Sequence, residues 1–540
     1  MFKKIFLISI ILTISLLSSI SNNMIYSFAT SNKNLISNIY SLNSGQYLWV
    51  NNPTILQRAV NALSNDYYNY KRKDFNQNEI TQLLYNLDNG TLDEYNKAKL
   101  DILITDAYIK LLKFIRIGDV DWSLVKAKMQ SLKSTHDIRA VWEFTPKGMP
   151  SASTIYKFIK SGRVIALLNQ SVGLQNRYKP YIDALAYYRK IPEFRKVPYG
   201  KTIRYGQRDR RIYQIKKRLM ILGDFPRRGS MSNYYGKDLA YAIRRFRKRL
   251  NLRYGDYIDN KLLAYINLPK SYYIKKIIVN LDKTKLYPYS FEPTYIEVNV
   301  PEFKMRLYQN GVEIFSSDAI VGRLDRPTPI FSDKLEYVVV NPTWTIPENL
   351  VKRDLIPALK NNPNILQIAH IKAYQGGKEV KPDLNKLFAI QNSSKHVPYQ
   401  FVQEAGADNA LGRVKFMFPN KYSVYLHDTP EKGLFNHRYR YNSSGCMRIN
   451  DPKGLYSVLQ PYLSTNKDID TIIATGKTTR INLKRKIPVH IVYFTLEFEN
   501  GAPKFLYDAY MYDKIIEEST QGNIKNYFEV PAVRLKEVRR

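Results

Sequence analysis

The chain has 540 residues, 44% of them hydrophobic, enough for roughly two to four domains with folded cores. Its 83 Lys and Arg against 47 Asp and Glu give a formal charge of +36, which suits an acidic partner such as nucleic acid, an anionic membrane or an anionic wall polymer. No zinc finger, glycine-rich phosphate loop or RNA-recognition motif is present, so nucleic acid is set aside; a single cysteine excludes a disulfide framework.

Lys3 and Lys4 precede the apolar run Ile5 to Ile20, and Ser27-Phe28-Ala29 places small residues at the two positions a signal peptidase reads. Residues 1–29 are therefore expected to be a secretory signal peptide. The run is short for a membrane span, which takes about 20 apolar residues, and an uncleaved N-terminal anchor is the alternative. In an exported chain a solitary thiol is expected to be a reactive one.

Residues 32–195 read as helical. Ile55 to Leu63 and Ile102 to Ile115 carry apolar residues at helical spacing, and His136 is a lone surface or core histidine. Residues 205–268 form a compact unit of three short helices. The first carries Ile212, Ile215, Leu219 and Leu222 and stops at Gly223; the second carries Leu239, Ala240, Ile243, Phe246 and Leu250; the third carries Leu262, Leu263 and Ile266. Its Arg227, Arg228, Arg244, Arg245, Arg247 and Arg249 read as a basic surface fit for carboxylates.

From Tyr295 the period becomes that of strands. Tyr295 to Pro301 and Phe303 to Tyr308 alternate, with a turn at Asn310-Gly311. Ala319-Ile320-Val321-Gly322, Thr328-Pro329-Ile330-Phe331 and Tyr337 to Val340 continue the pattern, followed by Asn341-Pro342-Thr343-Trp344-Thr345-Ile346-Pro347. Residues 352–412 interrupt it with Lys-, Asn- and Gly-rich sequence, where Gly376-Gly377 and Gly406 are expected hinges. His370 and His396 lie there as surface residues, and no metal-ligand spacing links them. A helix is expected over Pro452 to Leu463, and a last strand over Pro488 to Leu496 with a structural His490. The charged tail from 514 is expected to be loosely held.

The chemistry-bearing stretch runs from Tyr425 to Asn450. A free thiol is mostly protonated near neutrality, so Cys446 needs a base to become a nucleophile. His427 ends the mostly apolar run Tyr422 to Leu426, expected to be a strand that fixes the imidazole. Ser443-Ser444-Gly445 is expected to form a tight turn that presents the sulfur and aims backbone N–H groups at a developing oxyanion. His437, in a loop-like basic stretch, is the only nearby rival base. The same residues also suit a buried structural cysteine beside an unrelated histidine.

His427, about twenty residues, then Ser443-Ser444-Gly445-Cys446-Met447-Arg448 resembles the active-site signature of the YkuD-type L,D-transpeptidases, in the form carried by their large Gram-negative members. Ser444 stands where many members have a second histidine. Val321-Gly322, Thr328 to Phe331 and Asn341 to Pro347 are similar to further landmarks of that domain. The segments Leu219 to Asp224 and Phe246 to Leu252 resemble those of the peptidoglycan-binding module. Tyr47-Leu48-Trp49 weakly fits the helical scaffold of the large members.

The resemblance implies an α+β multidomain protein. It comprises a helical scaffold (32–195), a peptidoglycan-binding-like module (205–268) and a mainly β catalytic domain (292–498) with an inserted lid near 352–412, then a tail (514–540). It implies periplasmic peptidoglycan cross-linking in cell wall biogenesis, without cofactor or metal. Cys446 would attack the third stem residue of a tetrapeptide donor, and a diaminopimelate amine of another stem would resolve the thioester into a 3→3 link. His427 would be the base, oriented by a backbone carbonyl, with the amides near Gly445 and Cys446 as oxyanion hole. Arg448 would fix the turn or pair a stem carboxylate; Tyr425 and Trp344 would line the cleft, although a core role suits Trp344 equally. Carbapenems are the expected inhibitors. The alternatives are a cysteine amidase or peptidase acting on wall peptides and a non-catalytic peptidoglycan-binding protein.

Overall fold

A computed structural model of the chain describes residues 19–136, 140–250 and 252–520. The N-terminal part is helical and built round the long helix Glu94–Arg116, which is started by the Asp93 side chain accepting from the Asn96 N–H and is buried along most of its length. Asp101, fully buried in this helix, accepts the backbone N–H groups of Leu48, Trp49 and Val50 and the Tyr40 hydroxyl. Trp49 donates its indole N–H to Thr105 at 2.8 Å. A buried carboxylate needs such partners, and they explain why Tyr47-Leu48-Trp49 is threaded across the central helix.

Ile20, Ile25 and Ala29 are buried in the same core, with Ile25 and its neighbours in the helix Asn22–Phe28. A cut after Ala29 would remove all three of these core side chains. The apolar run of the expected signal peptide up to residue 18 lies outside the described residues, as do the His136 side chain and the tail beyond 520.

The small module has its three helices at Arg211–Ile221, Lys237–Arg249 and Asn260–Ile266, with the expected apolar stripes buried. Its arginines divide differently from expectation. Arg227, Arg228, Arg244 and Arg245 are exposed. Arg247 and Arg249 are buried: Arg247 donates to the carbonyls of Arg253 and Tyr257, and Arg249 pairs with Asp224 at 2.5 Å. Period alone does not separate a surface arginine from one whose guanidinium closes a loop.

A helix that the sequence did not suggest, Lys270–Thr284, joins module to catalytic domain. Lys276 and Lys283 on it meet Asp513, in the helix Tyr512–Glu518, whose Tyr512 and Ile516 are also buried. The tail from 514 is thus held firmly as far as residue 520.

The catalytic domain holds β1 Thr294–Asn299, β2 Lys304–Gln309, β3 Val312–Gly322, β4 Ser332–Val340, β5 Trp344–Thr345, β6 Ile371–Gln375, β7 Lys378–Val380, β8 Gln400–Gln403, β9 Val414–Met417, β10 Leu426–His427, β11 Tyr441–Ser443, β12 Met447–Ile449, β13 Thr479–Val492, β14 Leu496–Glu499 and β15 Ala502–Phe505. The nine-stranded sheet has the order β11-β3-β12-β10-β9-β4-β13-β1-β2, and β2 also pairs with β3, which closes it on itself. Ile296, Val298, Val338, Phe416, Leu426, Met447 and Ile449 fill its interior. Trp142, from the segment after the scaffold helix Trp122–His136, enters this same core and bridges to Ile330.

The lid has its own core of Ile346, Val351, Leu355, Ile356, Leu359, Ala373, Leu387 and Phe401. It starts earlier than expected, because β5 with Trp344 belongs to its sheet β5-β8-β6-β7. Gly376-Gly377 is the hairpin turn between β6 and β7 and not a hinge. Helical N-terminal regions and a mainly β C-terminal domain make the chain α+β and multidomain.

Candidate active site

Strands β9, β10 and β12 lie side by side, and their register places Lys415, His427 and Arg448 in one row across the sheet. Cross-strand partners project to one face while their neighbours project to the other. Phe416, Leu426 and Met447 therefore fill the interior, each fully buried, and the three polar side chains share the functional face.

Strand β10 is only two residues long, shorter than the apolar run predicts. Ser423 takes a positive φ of 55°, and the Asn420 amide donates to the carbonyls of Phe418 and Val424, folding residues 418–424 into a turn. Glu143 braces this turn from the scaffold side by pairing with Lys421 and interacting with the Tyr422 hydroxyl.

His427 is buried, and its Nδ1 donates to the Asp428 carbonyl at 2.6 Å. That bond fixes the tautomer and leaves the lone pair on Nε2. The orienting group is the backbone carbonyl that the sequence reading expected. Asp428 turns its own carboxylate away, to the Arg413 N–H and Lys432. Burial, then the positive charges of Arg448 and Lys415, push the His427 imidazole down to about 3, so the ring is neutral at physiological pH.

Cys446 immediately precedes β12, and the Met447 N–H donates to the Tyr425 carbonyl at 3.1 Å. The thiol is half-buried and donates to the Ser423 carbonyl at 3.7 Å. Loss of solvation pushes it up to about 11, against the opposing pull of the Tyr425 N–H and hydroxyl and of the Arg448 and Lys415 charges. Thiol and imidazole are thus both neutral at rest, and no thiolate–imidazolium pair is stored.

The turn before Cys446 is locked from within and from outside. The Ser443 hydroxyl donates to the Cys446 carbonyl at 2.5 Å and accepts the Gly445 N–H at 3.2 Å. The Gly445 N–H is therefore spent on the turn, whereas the Cys446 N–H has no acceptor among the described residues. Of the two amides expected in an oxyanion hole, only the latter is open. Gly445 sits at φ +120°, a conformation L residues rarely adopt, although a Cβ there would meet no atom within 4 Å. Its carbonyl accepts from Thr328, whose hydroxyl in turn accepts the Gly322 N–H, both at 2.9 Å. A Cβ on Gly322 would lie 2.2 Å from the Arg326 carbonyl. The Val-Gly and Thr-Pro landmarks are thus the outer clamp of the Cys446 turn.

Ser444 is exposed, and its hydroxyl accepts from Arg326 at 3.0 Å. The same guanidinium, only 8% exposed, forms a bidentate pair with Asp354 of the lid at 2.7 and 3.0 Å. Arg326 therefore ties lid to the Cys446 turn. Arg448 pairs with Glu431 and reaches Thr429 at 3.4 Å, in the segment after His427 and not in the Ser443–Cys446 turn. Tyr425 is half-buried beside His427, with ring centroids 5.6 Å apart, and its hydroxyl interacts with both the Cys446 sulfur and Trp344 on β5. Tyr425 thus stands at Cys446, whereas Trp344 reaches it only through the Tyr425 hydroxyl and packs against the lid core as well.

The other histidines with described side chains lie apart. His437 is exposed in a loop; His370 and His396 pair on the lid surface with Asp408 and Glu348. His490 is buried between Ser332 and Glu292 and stacks on Phe291 at 3.8 Å, as a structural residue does. The sequence reading missed Arg326, Lys415 and Glu143, and gave Thr328 only as part of a landmark without a role. Arg326 lies between the segments that were read; Lys415 needed the register, and Glu143 needed the fold.

A family model described as the L,D-transpeptidase catalytic domain matches residues 293–491, and one described as a scaffold domain matches residues 34–185. A putative L,D-transpeptidase of Haemophilus influenzae is 35% identical over 261 residues, which cover 47% of this chain and 52% of that protein. The chain thus spans about half the length of the curated relative it matches. A crystal structure of residues 123–326 of the L,D-transpeptidase from Xylanimonas cellulosilytica is 11% identical, covering 55% of this chain and 99% of that one with a TM-score of 0.16. The Ldtfm–avibactam carbamoyl enzyme is 14% identical, covering 38% and 51%, with a TM-score of 0.15. Such scores carry no argument; what the chain shares is the match of residues 293–491 to the L,D-transpeptidase catalytic domain of the YkuD family and of residues 34–185 to a scaffold domain.

Proposed function

We propose that the chain forms 3→3 cross-links between peptidoglycan stem peptides through a thioester on Cys446. The observation that carries this reading is the arrangement at the turn. The one cysteine of the chain is held by Ser443 and Thr328 on a fixed glycine turn, next to a strand whose His427 is locked with its lone pair on Nε2.

Because both groups are neutral at rest, the proton must leave the sulfur as it attacks, with His427 as general base. The thiol turns from the Ser423 carbonyl, its Sγ forms a bond to the carbonyl carbon of the third stem residue, and Nε2 takes the proton. The oxyanion is met by the Cys446 N–H. The amide C–N bond to the terminal D-Ala breaks, and imidazolium returns the proton to the leaving amine. A neutral diaminopimelate amine then attacks the thioester; its proton passes through His427 back to sulfur as the C–S bond breaks. Tyr425 favours the thiolate by donating from its hydroxyl, and Trp344 carries that contact into the lid.

The exposed Arg227, Arg228, Arg244 and Arg245 of the small module support a second contact with the wall, and the apolar N-terminal run supports export. A strained β-lactam presents the same kind of electrophile as the stem amide, so carbapenems are expected to acylate Cys446. Intact-mass measurement after mixing with a disaccharide-tetrapeptide tests the reading. One acyl adduct with release of D-Ala is expected, absent in Cys446→Ala. An unmodified mass under conditions where D-Ala is released would refute the thioester.

A further inference from the structure

Lys415 has a different standing from the other cations of this basic chain. It is half-buried on β9, it shares the functional row with His427 and Arg448, and its ammonium forms no hydrogen bond or ion pair with any described residue. Burying an unpaired ammonium is costly. Arg448, across the row, is compensated by Glu431. What stands near Lys415 is the ring of Tyr425, 5.8 Å from its Nζ, whose hydroxyl bonds the Cys446 sulfur, and Lys415 interacts electrostatically with that sulfur.

We propose that the Lys415 ammonium is the counter-charge of the Cys446 thiolate, a positioning residue that acts through the sulfur and not on the substrate. The inference rests on the reading of Cys446 as nucleophile. The resting site contains a cation without an anion, and negative charge develops on the sulfur as its proton leaves, with the Tyr425 hydroxyl as its hydrogen-bond donor and no other unpaired cation beside it among the described residues. Arg448 is already neutralised, and His427 becomes positive only by taking the proton, which it then gives to the leaving amine. Of the two cations that act on the sulfur, Lys415 is the one without a carboxylate partner among the described residues. Desolvation lowers its own affinity for a proton, and the nearby thiolate opposes that fall, so the ammonium is most secure when the sulfur is ionised.

The groups facing Cys446 are Lys415 from β9, Tyr425 and His427 from β10 and its approach, Arg448 from β12 with Glu431 behind it, and Trp344 from the lid through the Tyr425 hydroxyl. Between pH 7 and 9 His427 stays neutral, because its transition lies near 3, and Tyr425 stays protonated, because burial and the sulfur raise it well above its ordinary value. Alkylation of Cys446 in that window therefore reports the thiolate.

The test is the alkylation rate of the full chain by iodoacetamide and by iodoacetate from pH 7 to 9, read by intact mass, with no wall substrate present. Lys415→Met should react about tenfold more slowly with both reagents at each pH, the size of effect a close opposite charge has on an ionising group, and Lys415→Arg should restore most of the rate. Lys415→Gln, checked for an unchanged melting profile, serves if the Met variant misfolds. Slowing with iodoacetate alone would show that Lys415 receives carboxylates, and would overturn the proposal. So would unchanged rates, or a loss that Arg does not rescue. Because only thiol chemistry is read, a negative result here leaves the cross-linking reaction to its own test.

Discussion

Arg326 offers a prediction whose size can be worked from distances. Its guanidinium joins the lid through a bidentate pair with Asp354 at 2.7 and 3.0 Å, and joins the nucleophile turn through Ser444 at 3.0 Å. Removing one partner of a fully buried pair costs about 3–5 kcal/mol, and exposed pairs contribute about 0–1 kcal/mol. Arg326 is buried, whereas the Asp354 side chain is 47% exposed, so water can take over much of the carboxylate. Arg326→Gln should therefore weaken lid attachment by about 1–2 kcal/mol, a roughly tenfold change in the opening equilibrium. The cost should stay local, because lid and barrel have separate cores. Hydrogen exchange followed by mass spectrometry should show lid amides near Leu355, Ile356 and Phe401 exchanging about tenfold faster, while those of Val338, Phe416 and Leu426 keep their rates. Asp354→Asn should do the same, and the double variant should add little to either single one. Unchanged lid exchange, or equal loosening of the barrel, would refute the reasoning that this pair is the lid's latch.

Three further outcomes follow from the site and its supports. His427→Ala should abolish acylation by a tetrapeptide donor yet change resting iodoacetamide alkylation by less than about threefold, because no ion pair exists to be lost; a large fall in resting alkylation would show a stored pair instead. Gly445→Ala meets no clash, only an unfavourable φ costing about 1–3 kcal/mol, so the variant should fold, with a melting midpoint lowered by several degrees, and lose most of its acylation rate; full activity would show that the turn tolerates another shape. Asp119 is penalised by burial, yet Lys71 and Lys285 hold its carboxyl down to about 2. A carboxyl lowered on folding stabilises above its unfolded value near 3.9 and stops doing so as pH falls through the folded one. Melting temperature should hence drop between about pH 4 and 2, and Asp119→Asn should show a lower midpoint at neutral pH and a shallower drop; an unchanged acid slope would remove Asp119 from the cause.

Much of this fold was legible because its signals are local. Helical spacing placed the stripes of the small module, and alternation placed β1, β2 and β4. Cys446 and His427 were legible because a lone thiol and a histidine nineteen positions before it are rare enough to notice. What stayed hidden depends on contacts between distant segments. Lys415 gains its place only when β9 pairs with β10, and Arg326 looks like any surface arginine until Asp354 and Ser444 arrive on either side of it. Arg247 and Arg249 were taken for surface because a charged residue on a helix usually is; loop carbonyls and Asp224 brought them inside. The strand at His427 shrank to two residues because Asn420 caps its approach with side-chain bonds that no alternation reports. The tail helix was missed for a similar reason, since Asp513 looks solvated until Lys276 and Lys283 close on it.

The most direct test of the central claim is muropeptide analysis of purified sacculi rich in tetrapeptide stems, incubated with the chain or with Cys446→Ala. Mass spectrometry of the digested wall should show new dimers linked between two third residues, with free D-Ala released in equal amount, and neither product with Cys446→Ala. D-Ala released without new 3→3 dimers would mark a hydrolase, and dimers formed equally by Cys446→Ala would contradict the assignment of the sulfur as the nucleophile.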